Sequence, residues 1–223
     1  MAYRPFDSTD ADVAAPGEFE LELAPVGYFW EKRDRQLIAP AFVANFGFAR
    51  DWEVVMEGRR LASVGAGPSQ SRFVDDQVSI KGILRRGSLQ EEPGPSIATE
   101  LSVLLPEAHG TPAAGISGAA IVSQRFSWGT VHFNSKLALT RDHDAELFFG
   151  AILEGPSTWK IRPVAEVFYE RDFGSGHEVS GLIGAIWQIR DNLALDLGYR
   201  HGWTDTAQSH EVRLGLTFSL QIL

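Results

Sequence analysis

Polar and apolar residues alternate along this chain. In SHEVRLGLTFSL, Ser209 to Leu220, the even positions from 212 are Val212, Leu214, Leu216, Phe218 and Leu220. The odd positions hold Glu211, Arg213, Gly215, Thr217 and Ser219. Successive side chains of a strand point to opposite faces, so this strand has one apolar face and one small, polar or charged face. The same two-residue period runs through residues 17–30, 36–49, 51–62, 76–87, 95–106, 114–127, 130–140, 144–155, 158–170, 177–190 and 191–203. In the second of these it sets Ile38, Phe42, Phe46 and Phe48 on one side. No convincing stretch carries the three-and-four spacing of an amphipathic helix. The pattern predicts about twelve strands, an even number.

The connections alternate in length. Residues 49–51, 127–129, 155–158 and 190–192 read as tight turns, whereas 63–75, 107–112, 171–176 and 204–209 are longer; residues 87–95 are a long member of the short series. Such a rhythm predicts up-and-down hairpins with one tidy rim and one ragged rim, as in transmembrane barrels with short periplasmic turns.

A soluble sandwich also alternates, but its polar face is hydrated and its apolar face meets a second sheet. Here the polar face mixes charges of both signs with Gly, Ala and Ser, which suits a lumen. Rings collect near strand ends, at Phe19, Trp30, Trp52, Phe126, Trp159, Tyr169, Tyr199, Trp203 and Phe218. That is where hydrocarbon meets headgroups in a membrane barrel. Tilted strands of about 9–11 residues suffice to cross a bilayer, and a sheet in lipid must close on itself to pair its edges. The expected fold is all-β: a transmembrane antiparallel up-and-down barrel over residues 17–223, with residues 1–16 as an N-terminal periplasmic segment.

Composition narrows this further. No run of about eighteen apolar residues occurs, so a spanning helix is excluded, and mean hydropathy is −0.09. The net charge of −9 without any Lys/Arg cluster argues against nucleic acid. Cysteine is absent, which removes disulfides, thiolate nucleophiles and Cys-based zinc sites. The N-terminus lacks an apolar core followed by a cleavage site. Either the protein is not secreted, or this is a mature chain restarted at Met1; the barrel pattern favours the second.

From about Asn45 onward the chain resembles a bacterial outer-membrane family, the MetA-like transporters of phenol meta-pathway degradation. The residues that carry this are NFGFARDWEVVMEGRRL, DDQVSIKGILR, PSIATELSVLLPEAHG, IVSQRFSWGTVHFNSKLAL and QIRDNLALDLGYRHGW with HEVRLGLTFSL. The resemblance covers about four-fifths of the chain. It implies an outer-membrane β-barrel of a Gram-negative cell that passes small, aromatic or apolar molecules, and it carries no catalytic residues. One departure is that Phe218 is followed by Ser219–Leu223, so the terminal aromatic signal of such barrels is displaced or absent.

Candidate chemistry is sparse. A barrel hydrolase needs Ser and His on one face, yet His132 and Ser135 fall on opposite faces, as do Ser209 and His210. The histidines His109, His132, His143, His177, His201 and His210 show no paired ligand spacing, and the last four lie near the ragged rim, where solvated loop histidines are expected. Residues 65–69, GAGPS, form a glycine turn with no helix after it, not a phosphate cradle.

The inward charges are the informative set. Lumen and selectivity candidates are Glu20, Glu22, Glu57, Arg59, Lys81, Arg85, Glu100, Lys136, Lys160, Arg162, Glu166, Arg190, Asp196, Arg200, Glu211 and Arg213. Buried charges need partners. They form a cross-barrel salt-bridge lattice, a charge-lined conduit, or both. Lys160, Arg162, Arg200 and Arg213 are expected to make a basic stripe, and Glu20 or Glu22 to face Arg213 where the barrel closes. The membrane-interface aromatics are Trp30, Trp52, Trp159, Tyr169, Tyr199, Trp203 and Phe218.

The expected function is passive diffusion of small solutes through a narrow polar lumen in the outer membrane, with no cofactor and no metal. The partners are the lipid bilayer and a small-molecule solute. A sleeve around a partner protein is the alternative from another class, and a soluble ligand carrier a third.

Overall fold

The computed structural model describes residues 5–65, 71–107 and 111–223. Twelve strands make one closed antiparallel barrel: β1 (Glu18–Glu31), β2 (Asp34–Ala49), β3 (Trp52–Ser63), β4 (Ser71–Arg85), β5 (Ser96–Leu104), β6 (Gly115–Phe126), β7 (Gly129–Leu139), β8 (Ala145–Glu154), β9 (Ile161–Asp172), β10 (Gly176–Arg190), β11 (Leu193–Thr204) and β12 (Gln208–Gln221). Each strand pairs with its sequence neighbours. The ring closes between β1 and β12, from Glu18 opposite Gln221 to Glu31 opposite Ser209. Closure removes the free edges that an open sheet would leave unpaired.

Both ends of the barrel wall lie at one rim, together with the β2–β3, β4–β5, β6–β7, β8–β9 and β10–β11 connections. This is the terminal rim; the opposite one is the loop rim.

Alternation has become sidedness. On β12, Ser209, Glu211, Arg213, Gly215 and Thr217 are buried while Val212 and Leu214 are exposed. Outward positions elsewhere are bare: Leu101 is 64% exposed, Phe133 58%, Leu137 64% and Ile183 66%. Contiguous apolar surface on this scale is rare on proteins bathed in water. Rings ring both rims. Trp52, Phe126, Trp159 and Phe218 lie towards the terminal rim, and Trp30, Tyr169, Tyr199 and Trp203 towards the loop rim.

One expected face is corrected. Ala24 pairs with Ala41 and the next rung is Gly27 with Ile38, so the β1–β2 ladder steps over Pro25–Val26 and Ala39–Pro40. A three-residue step inverts the parity. Ile38 therefore turns inward, away from the side of Phe46 and Phe48, and packs with Ala24, Ala41, Phe29 and Leu61. β4 also begins earlier than its alternation indicates, at Ser71.

Among the described residues there is no central apolar core. Two further small clusters stand inside the wall, Val164–Ile186–Ala194 with Phe6, and Ala11–Leu89–Ala98–Ile121. Each of these two contains a residue from before β1.

Candidate functional site: the lumen and the segment within it

The segment before β1 enters the barrel. Read from sequence as lying outside in the periplasm, residues 5–16 instead run along the inner wall, because that wall offers fixed acceptors and donors to a backbone with no strand partner of its own. From Gly17 at the terminal rim, Ala14 donates its N–H to Glu53 Oε2 at 2.7 Å. Gln90 Nε2 reaches Ala11 O at 3.0 Å and Asp12 Oδ1 at 2.9 Å. Ala11 N–H bonds Ser123 Oγ at 2.9 Å, and Asn134 clasps Thr9 at both N and O, 3.0 and 2.7 Å. Glu166 accepts from Asp7 N at 2.9 Å and Ser8 N at 2.7 Å. Arg213 donates to Pro5 O at 2.7 Å and to Asp7 Oδ1 at 2.9 Å. The contacts thus pass from β3 through the β4–β5 connection, β6, β7 and β9 to β12. Nearly every backbone group so bound meets a side chain, as burial without a sheet partner demands.

The β4–β5 connection explains its own length. It holds a single 3-10 turn, Ser88–Gln90, that sends Leu89 into the cluster around Ala11 and Gln90 onto the segment's backbone. Missing side chains on the wall make room as well. A Cβ on Gly150 would lie 2.0 Å from Ser8 Oγ, and one on Gly47 2.2 Å from Ala15 O.

Charge holds the arrangement. Arg213 binds Glu211 at 2.8 Å besides Asp7. Arg200 lies 3.8 Å from Asp7 and 3.6 Å from Glu211, pairs with Glu178, and stacks over Phe168 at 4.8 Å. Lys81 lies 3.6 Å from Asp10 and 3.4 Å from Glu53. Burial alone would raise the carboxyl of Asp7; the guanidinium groups of Arg213 and Arg200 overcome this and hold it well below the usual carboxylate range. Asp12 moves the other way, pushed up by burial and by Asp10.

Most candidates from the sequence face inward. Glu20, Glu22, Lys81, Arg162, Glu166, Asp196, Glu211 and Arg213 are buried on the lumen side, and Glu57, Arg59, Glu100 and Lys136 line the cavity beside them. Arg59 pairs with Asp75, and Lys136 with Glu146 at 3.0 Å. Three candidates do not belong to the lumen. Arg85 reaches back to Pro93 O and Pro95 O at the terminal rim, Lys160 is exposed in the β8–β9 connection, and Arg190 is exposed at the end of β10. Each lies at a strand end, where the alternation no longer fixes a face.

The basic stripe is therefore broken up. Lys160 leaves it, Arg162 lies 3.8 Å from Glu154, and Arg200 and Arg213 share Asp7 and Glu211. The expected lock between Arg213 and Glu20 or Glu22 is also replaced. The register sets Glu22 opposite Thr217 and Glu20 opposite Ser219, with Arg213 opposite Gly27.

The histidines differ from the expectation of solvated loops. His132 is buried in the lumen, its Nδ1 2.8 Å from Ser123 Oγ and its Nε2 3.3 Å from Glu154. Ser123 pairs across strands with His132, a relation invisible in sequence spacing. Ser123 is wholly buried and takes the Ala11 N–H, so it seats the segment. His201 and His210 sit on strands, their Nδ1 atoms 3.0 Å apart. His143 is in the β7–β8 turn, and His177, on β10, lies 3.2 Å from Asp205. His109 and residues 66–69 of the glycine turn lie outside the described residues. Among the described residues no three acidic or histidine groups are placed to hold a metal ion.

The segment and the wall leave a cavity of about 740 Å³. Among the described residues thirteen carboxylates and four bases, Arg59, Lys81, Lys136 and Arg213, line it, so the described lining is acidic. The sequence view missed Asp7, Asp10 and Asp12 because they sit in an aperiodic stretch. The available signal was an acidic tract next to a wall rich in inward arginine.

In fold the barrel is similar to solved outer-membrane porins and channels. The NanC porin superposes with a TM-score of 0.65 at 7% identity, covering 91% of this chain and all of that one. The COG4313 outer membrane channel from Pseudomonas putida F1 gives 0.64 at 8% identity, covering 96% and all. The KdgM porin in complex with disordered oligogalacturonate gives 0.59 at 10% identity, covering 90% and 99%. At these identities the likeness is one of fold. No family model and no curated protein sequence matches the chain.

Proposed function

We propose that this barrel is a channel of a Gram-negative outer membrane, with the terminal rim towards the periplasm, through which small solutes diffuse passively. The observation that carries this reading is the inversion of the fold: an apolar outer wall around a charged, partly open lumen. The acidic lining favours cations over anions, since rings of fixed carboxylates raise the local concentration of the opposite charge. The N-terminal segment narrows the passage and sets its resting conductance.

The implied kinship with MetA-like transporters, and with it an aromatic or apolar cargo, is a second reading. Ile38, Val43, Val55 and Phe148 in the cavity wall favour it. A sleeve for a partner protein is disfavoured, because the chain's own segment takes that place.

The test is conductance of the purified protein in planar bilayers under a salt gradient. The reversal potential is expected to have the sign of cation preference, and phenol added as a competing solute is expected to leave the current unchanged. Absence of any conductance, also after deletion of residues 2–14, would overturn the channel. Block by phenol would favour the second reading.

A further inference from the structure

The outer wall is uneven near the loop rim. Trp30 stacks on His210 at 4.9 Å, and His210 meets His201, which packs on Trp203 at 4.2 Å. Tyr199 OH lies 2.8 Å from His210 Nδ1. Arg35 is the rung partner of Trp30 and shares its outward face. Arg60 faces outward on β3, bonded to Ser71 Oγ, and Arg171 outward on β9. Lys32 and Arg33 extend the basic group into the exposed β1–β2 turn. Three acids stand near this group: Asp205 pairs with His177, while Asp34, bonded by Gln36, and Glu31 form the last β1–β2 rung.

The remaining strands are different. At the same height Arg171 has Leu147 as its rung partner on β8, and the outward positions beyond it are Leu139, Ile116 and Val103. Outward-facing Arg, Trp, Tyr and His on the strands are thus gathered on the β9–β12 and β1–β3 half; on the other half Arg141, in the β7–β8 connection, is held by Leu105 O and Asp76 O.

From this asymmetry we infer that the β9-to-β3 face at the loop rim binds a phosphate-bearing glycolipid of the outer leaflet. The inference rests on the membrane reading above. Trp and Tyr hold the headgroup level of a bilayer. Guanidinium groups at that level match phosphate oxygens two at a time, and the histidines and Tyr199 add donors for the sugar and phosphate. The outward strand positions of the other half offer acyl chains contact, and the Arg141 guanidinium there is already bonded to Leu105 O and Asp76 O.

The experiment is native mass spectrometry of the purified full chain released from detergent with diphosphoryl lipid A, dephosphorylated lipid A or phosphatidylglycerol. Insertion into neutral phosphatidylcholine vesicles is measured in parallel. Diphosphoryl lipid A is expected to give adducts that fall at least fivefold in the Arg35→Gln, Arg60→Gln, Arg171→Gln triple variant, and not in an Arg50→Gln, Arg190→Gln control at the terminal rim. Equal adducts in both variants, equal adducts with dephosphorylated lipid A, or phosphatidylglycerol bound as well as lipid A would each overturn the site. Loss of lipid A binding to the wild type, with normal vesicle insertion, would overturn the site alone. Failure to insert would overturn the membrane reading and the site together.

Discussion

Arg213 on the last strand holds Asp7 at 2.9 Å across 206 residues of sequence. The two ends of the chain therefore meet inside the barrel, and the seat of the N-terminal segment depends on this pair. Removing one partner of a buried ion pair strands the other, a loss of about 3–5 kcal/mol. Arg213→Met is expected to lower the thermal midpoint of the barrel, expose residues 5–16 to protease and raise the bilayer conductance. Unchanged conductance with cleaved N-termini would show that the segment does not restrict flow.

Gly150 permits the close approach of Ser8, where an added Cβ would lie 2.0 Å from the hydroxyl. Gly150→Val is expected to displace the segment without removing any charge. Single-channel recordings should then match those of a protein lacking residues 2–14. Recordings identical to wild type would mean that Ser8 moves aside and the seat survives.

The seat should also respond to acid with a definite sign. The native carboxyl of Asp7 titrates below its ordinary value of 3.8, so its ionised form stabilises the folded arrangement. That contribution is complete above the ordinary value and is lost as pH falls through the lowered native one. Asp12, pushed up by burial and Asp10, works oppositely and favours the seat as it takes up a proton. Protease resistance of residues 5–16 is therefore expected to hold from pH 7 to about pH 5 and to fail only below about pH 4. In Asp7→Asn this acid step should vanish and resistance should be weaker at pH 7.

The acidic lumen predicts a charge dependence of flow. Glu100 lines the cavity. Glu100→Gln should shift the reversal potential under a salt gradient towards zero, without altering the thermal midpoint by more than a few degrees. A reversal potential that stays put would move selectivity elsewhere in the lumen.

The outer wall gives a test of its solvent. Phe133 lies mid-strand on β7 and is 58% exposed. Phe133→Arg is expected to cost about 2–4 kcal/mol in lipid vesicles, measured by denaturant titration, as charges at the bilayer midplane do. A near-zero effect, with the protein dispersed in buffer without detergent, would mean that this face meets water.

Much of the architecture was legible because strand alternation is local. Each residue's face follows from its neighbour's, and twelve repetitions averaged out the weak signal of each strand. Legibility failed where that rule is interrupted. Ile38 turned inward because a paired step in β1 and β2 resets the parity, which neither strand shows alone. Arg85, Lys160 and Arg190 left the lumen because strand ends are released from the ladder. Ser123 and His132 are nine residues apart and meet only through the β6–β7 register.

The sequence by itself determined the strand count, the apolar exterior, the charged interior and the two rims, since all follow from a two-residue period and the lengths between its interruptions. Tertiary structure alone decided that residues 5–16 lie within the lumen, which base meets which acid, and that the basic groups of the loop rim share one half of the wall. Those outcomes depend on register and on closure, which bring together residues as distant as Pro5 and Arg213. No local pattern encodes a contact whose partners become neighbours only when the ring is shut.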